Sequence, residues 1–180
     1  MTRVAIQGVS GSYSEEAVRR LFGNDASLVE CEDFDKTFNA LRLGDVDGAV
    51  VPVENKIVGT IHRPVQLLNE GAYRVLEKLD LRVQHVLAGT PDSEFDTLVS
   101  VRSHIEALKQ CKRFLADHPN LTQIVGSDTA SSARRIVDEA DPASSAICSR
   151  RAAEIYGAKI LRENIADDID NWTTFYLIGN

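Results

Sequence analysis

The chain has 180 residues, 43% of them hydrophobic and 26% charged, which is enough apolar material for a packed core in the ordinary globular range. A formal net charge of -7 and an isoelectric point near 5.1 argue against a nucleic-acid-binding surface, which needs clustered basic residues. An anionic ligand must therefore be attracted by a local field, because the global one repels it.

The chain starts with the strand-like Arg3-Val4-Ala5-Ile6, without a charged leader or a long apolar segment, so neither secretion nor membrane insertion is indicated and a cytoplasmic location is the default. Short apolar runs at Val4–Ile6, Leu28–Val29, Ala49–Val53, Leu98–Val101, Gln123–Val125 and Ala146–Ile147 predict strands. Between them, helical spacing predicts helices over Ser14–Phe22, Phe34–Leu43, Val58–Asn69, Ile105–Ala116, Ala130–Glu139 and Arg150–Tyr156. Ser12, Ser103 and Asp128 stand where caps belong, and Gly44 and Gly157 fit helix ends. This alternation is an α/β rhythm. Tyr73–Gly89 is long, extended in character and free of internal glycine, as expected of a connection that crosses between two lobes. Lys159–Ile165 would lead back, and Thr173–Ile178 would form a closing strand. The expected division is one lobe of residues 1–76 and 163–180 and a second of residues 77–162.

Gly48-Ala49-Val50-Val51-Pro52-Val53-Glu54-Asn55 is the segment richest in functional information. An apolar strand ends there in a carboxylate and an amide, and ligands of open α/β sheets sit outside the carboxyl ends of strands. A polar loop start is the plain alternative. Lys56 follows, then a predicted helix start, so the turn offers a cation together with unpaired backbone amides. Two further loops open helices: Gly8–Ser12, and Ser103-His104 ahead of Gln110-Cys111. Helix N-termini of this kind suit a carboxylate. Gln110 lies seven residues beyond Ser103, which on a helix puts both on one face, two turns apart. Asp128-Thr129-Ala130 opens another helix, with Asp128 as its cap. Cys31, Cys111 and Cys148 are widely spaced, with no Cys-x-x-Cys pair, and read as reduced core thiols. His62, His104 and His118 show no ligand spacing with acidic or cysteine partners, so no metal is expected.

Several of these segments together resemble one family. Pro52-Val53-Glu54-Asn55, with Gly59 beyond, is similar to the Pro-Ile-Glu-Asn-Ser-x-x-Gly signature of prephenate dehydratases, with Lys56 standing where serine is usual. Gly8-Val9-Ser10-Gly11-Ser12-Tyr13-Ser14, Ser103-His104, Gln110-Cys111, Asn164-Ile165 and Asp167 follow in the family's order. Asn171-Trp172-Thr173-Thr174-Phe175 resembles its Asn-x-Thr-Arg-Phe, with Thr174 in place of the arginine. The resemblance implies a two-lobed fold like the type II periplasmic binding proteins, with the substrate prephenate in a cleft between lobes, no cofactor and a homodimer. It also implies that Thr173, Asn55 and Glu54 are catalytic and that Ser10, Gly11, Ser12, Lys56, Ser103, Gln110, Thr129, Thr174 and Phe175 line the substrate site. His85 matches a histidine common in the family, and a packed or hinge role is the alternative to proton transfer.

Loss of the arginine at Thr174 removes a fork-shaped donor that a hydroxyl cannot replace. Lys56 is a candidate to restore the charge, a solvated surface lysine being the alternative. The implied reaction is decarboxylating dehydration of prephenate to phenylpyruvate. Two other readings stay open: a prephenate decarboxylase that yields a non-aromatic dihydro product, and a non-catalytic binder of a small carboxylate. Many family members carry a phenylalanine-sensing domain after the catalytic part. No such domain is expected after Asn180, which would mean either an unregulated enzyme or a shortened chain.

Overall fold

The computed structural model describes all 180 residues, Met1–Asn180, and divides them into two compact α/β units. Unit 1 is Met1–Val9, Tyr13–Val83 and Asp170–Asn180, and unit 2 is Ser10–Ser12 and Gln84–Ile169. No helix is long and apolar enough to cross a membrane.

Unit 1 is built on the strands β1 (Thr2–Gln7), β2 (Ala26–Cys31), β3 (Gly48–Asn55), the two-residue β4 (Gly59–Thr60), β5 (Arg74–Arg82) and β11 (Trp172–Gly179). They lie in the order β2-β1-β3-β11-β5, with β4 folded back on the end of β3. β1 is parallel to both its neighbours, while β11 runs antiparallel to β3 and β5. Val4, Ala5 and Ile6, and Ala49, Val50 and Val51, are fully buried in succession. Such unbroken apolar runs are what strands covered on both faces require. One face packs Val4, Ile6, Val50, Phe175 and Leu177 on Ala17 and Val18 of α1 (Tyr13–Phe22). The other packs Ala49, Val51, Val53 and Ile178 on Phe38 and Leu41 of α2 (Phe34–Leu43) and on Val65 and Leu68 of α3 (His62–Glu70). α2 is capped at both ends: Asp33 accepts from Lys36 N at 2.7 Å, and Gly44, expected at a helix end, takes the left-handed conformation at φ 77°.

Unit 2 carries a five-stranded sheet in the order β10-β6-β9-β7-β8: β10 Lys159–Arg162, β6 Val86–Gly89, β9 Ser144–Cys148, β7 Ser100–Ser103 and β8 Thr122–Val125. Its helices are α4 (Ile105–Gln110), α5 (Lys112–Asp117), α6 (Thr129–Glu139) and α7 (Arg150–Tyr156). Asp128 caps α6 by accepting from Ser131 N at 2.6 Å, and Ser149 caps α7 by accepting from Ala152 N at 2.9 Å.

The two-unit α/β architecture is the expected one, and four local features differ. The helix expected from Val58 starts at His62, because Gly59 and Thr60 pair with Asn55 and Glu54 as a hairpin first. The helix expected over Ile105–Ala116 breaks at Cys111, which holds φ -111° and ψ 27°. Tyr73–Gly89 does cross from unit 1 to unit 2, between Val83 and Gln84, but as two strands, β5 and β6, paired into separate sheets. Consequently the first lobe boundary falls after Val83 rather than after residue 76, since β5 pairs with β11 from Arg74 to Arg82. The return falls at Asp170, since β10 stays with β6 in unit 2.

Candidate active site

The carboxyl end of β3 lies beside the start of β11, with Asn55 opposite Thr173 and Glu54 opposite Thr174. Residues opposite one another in an antiparallel pair share a face, and neighbours along a strand alternate, so these four side chains divide into two pairs. Asn55 and Thr173 take the α1 face. Glu54 and Thr174 take the other.

Asn55 is 7% exposed, and its amide is saturated. Its Oδ1 accepts from Ile57 N at 2.9 Å and Val58 N at 3.0 Å, which fixes the turn into β4 and decides which end of the amide carries the protons. Its Nδ2 donates to Asn171 Oδ1 at 2.9 Å, to Trp172 O at 3.2 Å and to Thr173 Oγ1 at 2.8 Å. The oxygen of Thr173 is therefore an acceptor toward Asn55, and its own proton points elsewhere as a donor. Thr173 is 7% and Asn171 1% exposed, so the network sits where water competes little and each bond is electrostatically strengthened. Asn171 is the member that sequence reasoning left out of the site. Its signal was its amide in the same short motif as Thr173.

On the opposite face, Glu54 is exposed and borders two grooves. One, of ≈ 470 Å³, runs along Val65, Leu68, Tyr73 and Tyr176. The other, of ≈ 490 Å³, is lined with Lys56, Asp80, Trp172 and Thr174. Lys56 is ion-paired with Asp170, whose carboxyl is held below the usual range first by that hydrogen bond and then by one from Trp172 Nε1 at 2.8 Å. Thr174 donates to Asp80 Oδ1 at 2.6 Å. Glu54, Lys56 and Thr174 thus belong together, but not with Asn55 and Thr173. Phe175, expected to line the site, is 2% exposed and packs in the core between β1, β11 and α1, because it faces inward past a bulge in the β3–β11 register.

Unit 2 holds the remaining predicted residues. Gly11 has φ 89°, and a Cβ there would stand 3.0 Å from Ala152 Cα, so α7 and this loop approach as only glycine allows. Ser149 Oγ donates to Gly11 O at 3.0 Å and Tyr156 OH to Ser10 O at 2.5 Å, which ties Ser10–Ser12 to α7. The expectation that this loop belongs with the first lobe is corrected by those bonds. Ser103 is the last residue of β7, wholly buried, and donates to Ile147 O at 2.6 Å. It is not helical, so the proposed common face with Gln110 does not exist. The cap is His104, whose Nδ1 accepts from Glu106 N at 3.2 Å. Gln110 instead meets His85: Oε1 lies 2.7 Å from Nε2, and Gln110 O accepts from Asp167 N at 2.7 Å. Burial depresses the His85 pKa, the Gln110 contact opposing it, which favours the neutral imidazole, and with Gln110 Oε1 as the acceptor Nε2 is the donor. Thr129 is the half-buried first residue of α6. The thiols of Cys111 and Cys148 are each pushed up to about 12 by burial, which makes them packing groups rather than nucleophiles.

A profile of the prephenate dehydratase family matches residues 4–180. The chain belongs to that family. It is 39% identical over 177 residues to arogenate dehydratase/prephenate dehydratase 1, chloroplastic, of Arabidopsis thaliana, covering 98% of this chain and 45% of that protein. The chain therefore spans about half the length of the curated relatives it matches. Among solved structures, the prephenate dehydratase of Arthrobacter aurescens in complex with L-Phe superposes with a TM-score of 0.91 at 27% identity, over 99% of this chain and 60% of that one. GqqA, described as a quorum-quenching acylase, superposes with a TM-score of 0.88 at 29% identity, over 99% and 64%. The methionine-binding protein MetQ, at 12% identity and a TM-score of 0.51 over 99% of this chain and 82% of that one, shares the fold alone, the periplasmic-binding-protein architecture expected from the sequence.

Proposed function

We propose that this chain catalyses the decarboxylating dehydration of prephenate to phenylpyruvate. The observation that carries this reading is the bond from Asn55 Nδ2 to Thr173 Oγ1, which leaves the threonine proton directed away from Asn55. In the reaction the ring carboxylate leaves as carbon dioxide, and the electron pair of the broken C–C bond enters the ring. The C–O bond on the far side of the ring then breaks, and the departing hydroxyl takes up one proton to become water. Thr173 supplies a hydrogen bond to that oxygen as negative charge develops on it. Asn55, positioned by two backbone amides and by Asn171, holds Thr173 in that orientation without further reorganisation. A free hydroxyl is a poor acid, so this donor acts through the polarised network around it.

The relatives' printed names include arogenate as well as prephenate. Both substrates carry the same ring, carboxylate and leaving hydroxyl, so the Thr173 assignment serves either. The departures at Lys56 and Thr174, which kept the decarboxylase reading open, fall on the face of the sheet that Thr173 and Asn55 do not share. That placement supports dehydration. Incubation with prephenate, followed by ultraviolet detection of phenylpyruvate, tests the proposal. A non-aromatic dihydro product would replace it with decarboxylation, and tight binding without turnover would replace it with a sensor.

A further inference from the structure

A cavity of ≈ 370 Å³ opens in unit 2 between the short 3-10 turn Phe95–Thr97 and the C-terminal end of α5, lined by Phe95, Asp96, His118, Asn120 and Leu121. None of these residues has a part in the reaction proposed above.

Local hydrogen bonds fix the polarity of its wall. His118 follows α5, and its Nδ1 lies 2.7 Å from Phe114 O, one helical turn back. A carbonyl only accepts, so Nδ1 carries the proton and Nε2 of the neutral ring is an acceptor. Asn120 donates from Nδ2 to Leu98 O at 3.1 Å, which places its Oδ1 on the other side of the amide. The exposed carboxylate of Asp96 makes no hydrogen bond or ion pair within the chain. The rings brace one another: His118 stands edge-on to Phe95 with centroids 5.2 Å apart, and 4.4 Å from Phe114, while Leu121 is buried. Arg162 holds its guanidinium 3.7 Å from the Phe95 centroid and donates to Leu161 O at 2.7 Å, but it does not line the cavity.

The wall thus offers a carboxylate, an imidazole lone pair and an amide oxygen beside an aromatic surface, with no cationic side chain among them. Its complement is a single positive charge that carries several N–H donors in one plane. A guanidinium has that form: it meets a carboxylate as a fork, lies against aromatic rings and is more weakly hydrated than an ammonium. The net charge of -7 favours the approach of a cation.

We infer that this cavity binds a small alkylguanidinium, its guanidinium toward Asp96 and His118 Nε2 and its alkyl chain along Phe95 and Leu121.

Titration of the full chain with ethylguanidinium chloride, followed by two-dimensional amide NMR, tests this. Saturable shifts are expected at Asp96, Leu121 and the Asn120 side-chain amide, with a dissociation constant of roughly 1 mM, as one charge-assisted fork allows. Ethylammonium chloride has the same charge without the fork, and should bind at least about fivefold more weakly. Asp96→Asn should weaken ethylguanidinium about tenfold or more. His118→Phe, which keeps a ring and removes the acceptor, should weaken it about threefold. The spectra of both variants also report whether each keeps the wild-type fold. Shifts that never saturate, equal affinity for ethylammonium, or an Asp96→Asn variant that binds as the wild type does would each overturn the inference.

Discussion

The two faces of the β3–β11 pair differ more than their sequences suggest. Glu54 and Asn55 are neighbours, as are Thr173 and Thr174, yet alternation sends one of each to either side. On the α1 face the polar groups are buried, few and fully bonded, and a single hydroxyl keeps a proton to give. On the opposite face they are tied to carboxylates, the exposed Lys56 to Asp170 and the half-buried Thr174 to Asp80. A polar residue near a site residue in sequence is therefore not a member of the site until the pleat has placed it.

The largest effect is expected at Asn55. Asn55→Ala leaves Ile57 N and Val58 N without their acceptor and Thr173 without its donor, which should cost about 2–3 kcal/mol in denaturant unfolding and lower turnover by about a thousandfold. Thr173→Ala should lower turnover by roughly a hundredfold to a thousandfold with little loss of stability. Thr173→Ser, which keeps the hydroxyl, should recover activity to within about tenfold of the wild type. A Thr173→Ala enzyme with normal turnover would remove the chemical distinction between the faces.

Next comes Gly11→Ala. It combines a strained positive φ with a Cβ against α7, and should lower stability by about 1–3 kcal/mol, read as a reduced thermal midpoint. His85 adds a pH dependence. Its folded pKa is depressed by burial below the ordinary 6.5, so the unfolded chain takes up the proton first. Stability should be independent of this group above 6.5, decline as the pH falls below it, and level off once the folded form also protonates. His85→Leu should flatten that part of the profile.

The smallest effect belongs to the exposed face. Lys56→Ala should leave the Michaelis constant and turnover within about threefold of the wild type, since its charge is already directed to Asp170. A tenfold loss would show that this lysine does stand in for the missing arginine, and would break the contrast between the faces.

Much of the fold was legible because it rests on local regularities. The β1 and β3 cores, the Asp128 cap and the Gly44 and Gly157 ends are each set within a few residues. The helix break at Cys111 and the hairpin at Gly59 were not, since helical spacing continues through both and only tertiary pairing interrupts it. Ser103 and Phe175 show the same limit at the site. Their motif context singled them out, but one gives its hydroxyl to Ile147 and the other its ring to the core.

By itself the sequence determined the family, the alternation of strands and helices, and the presence of an amide and a hydroxyl at opposite ends of the chain, because composition, periodicity and motif order are properties of the linear polymer. Only the tertiary structure decided that Asn55 and Thr173 meet at 2.8 Å, that Glu54, Lys56 and Thr174 lie across the sheet from them, and that Ser10–Ser12 is bound to α7. The reason is physical: strand register, a single bulge and the close approach at Gly11 fix which side chains share a face, and each depends on residues more than a hundred positions away.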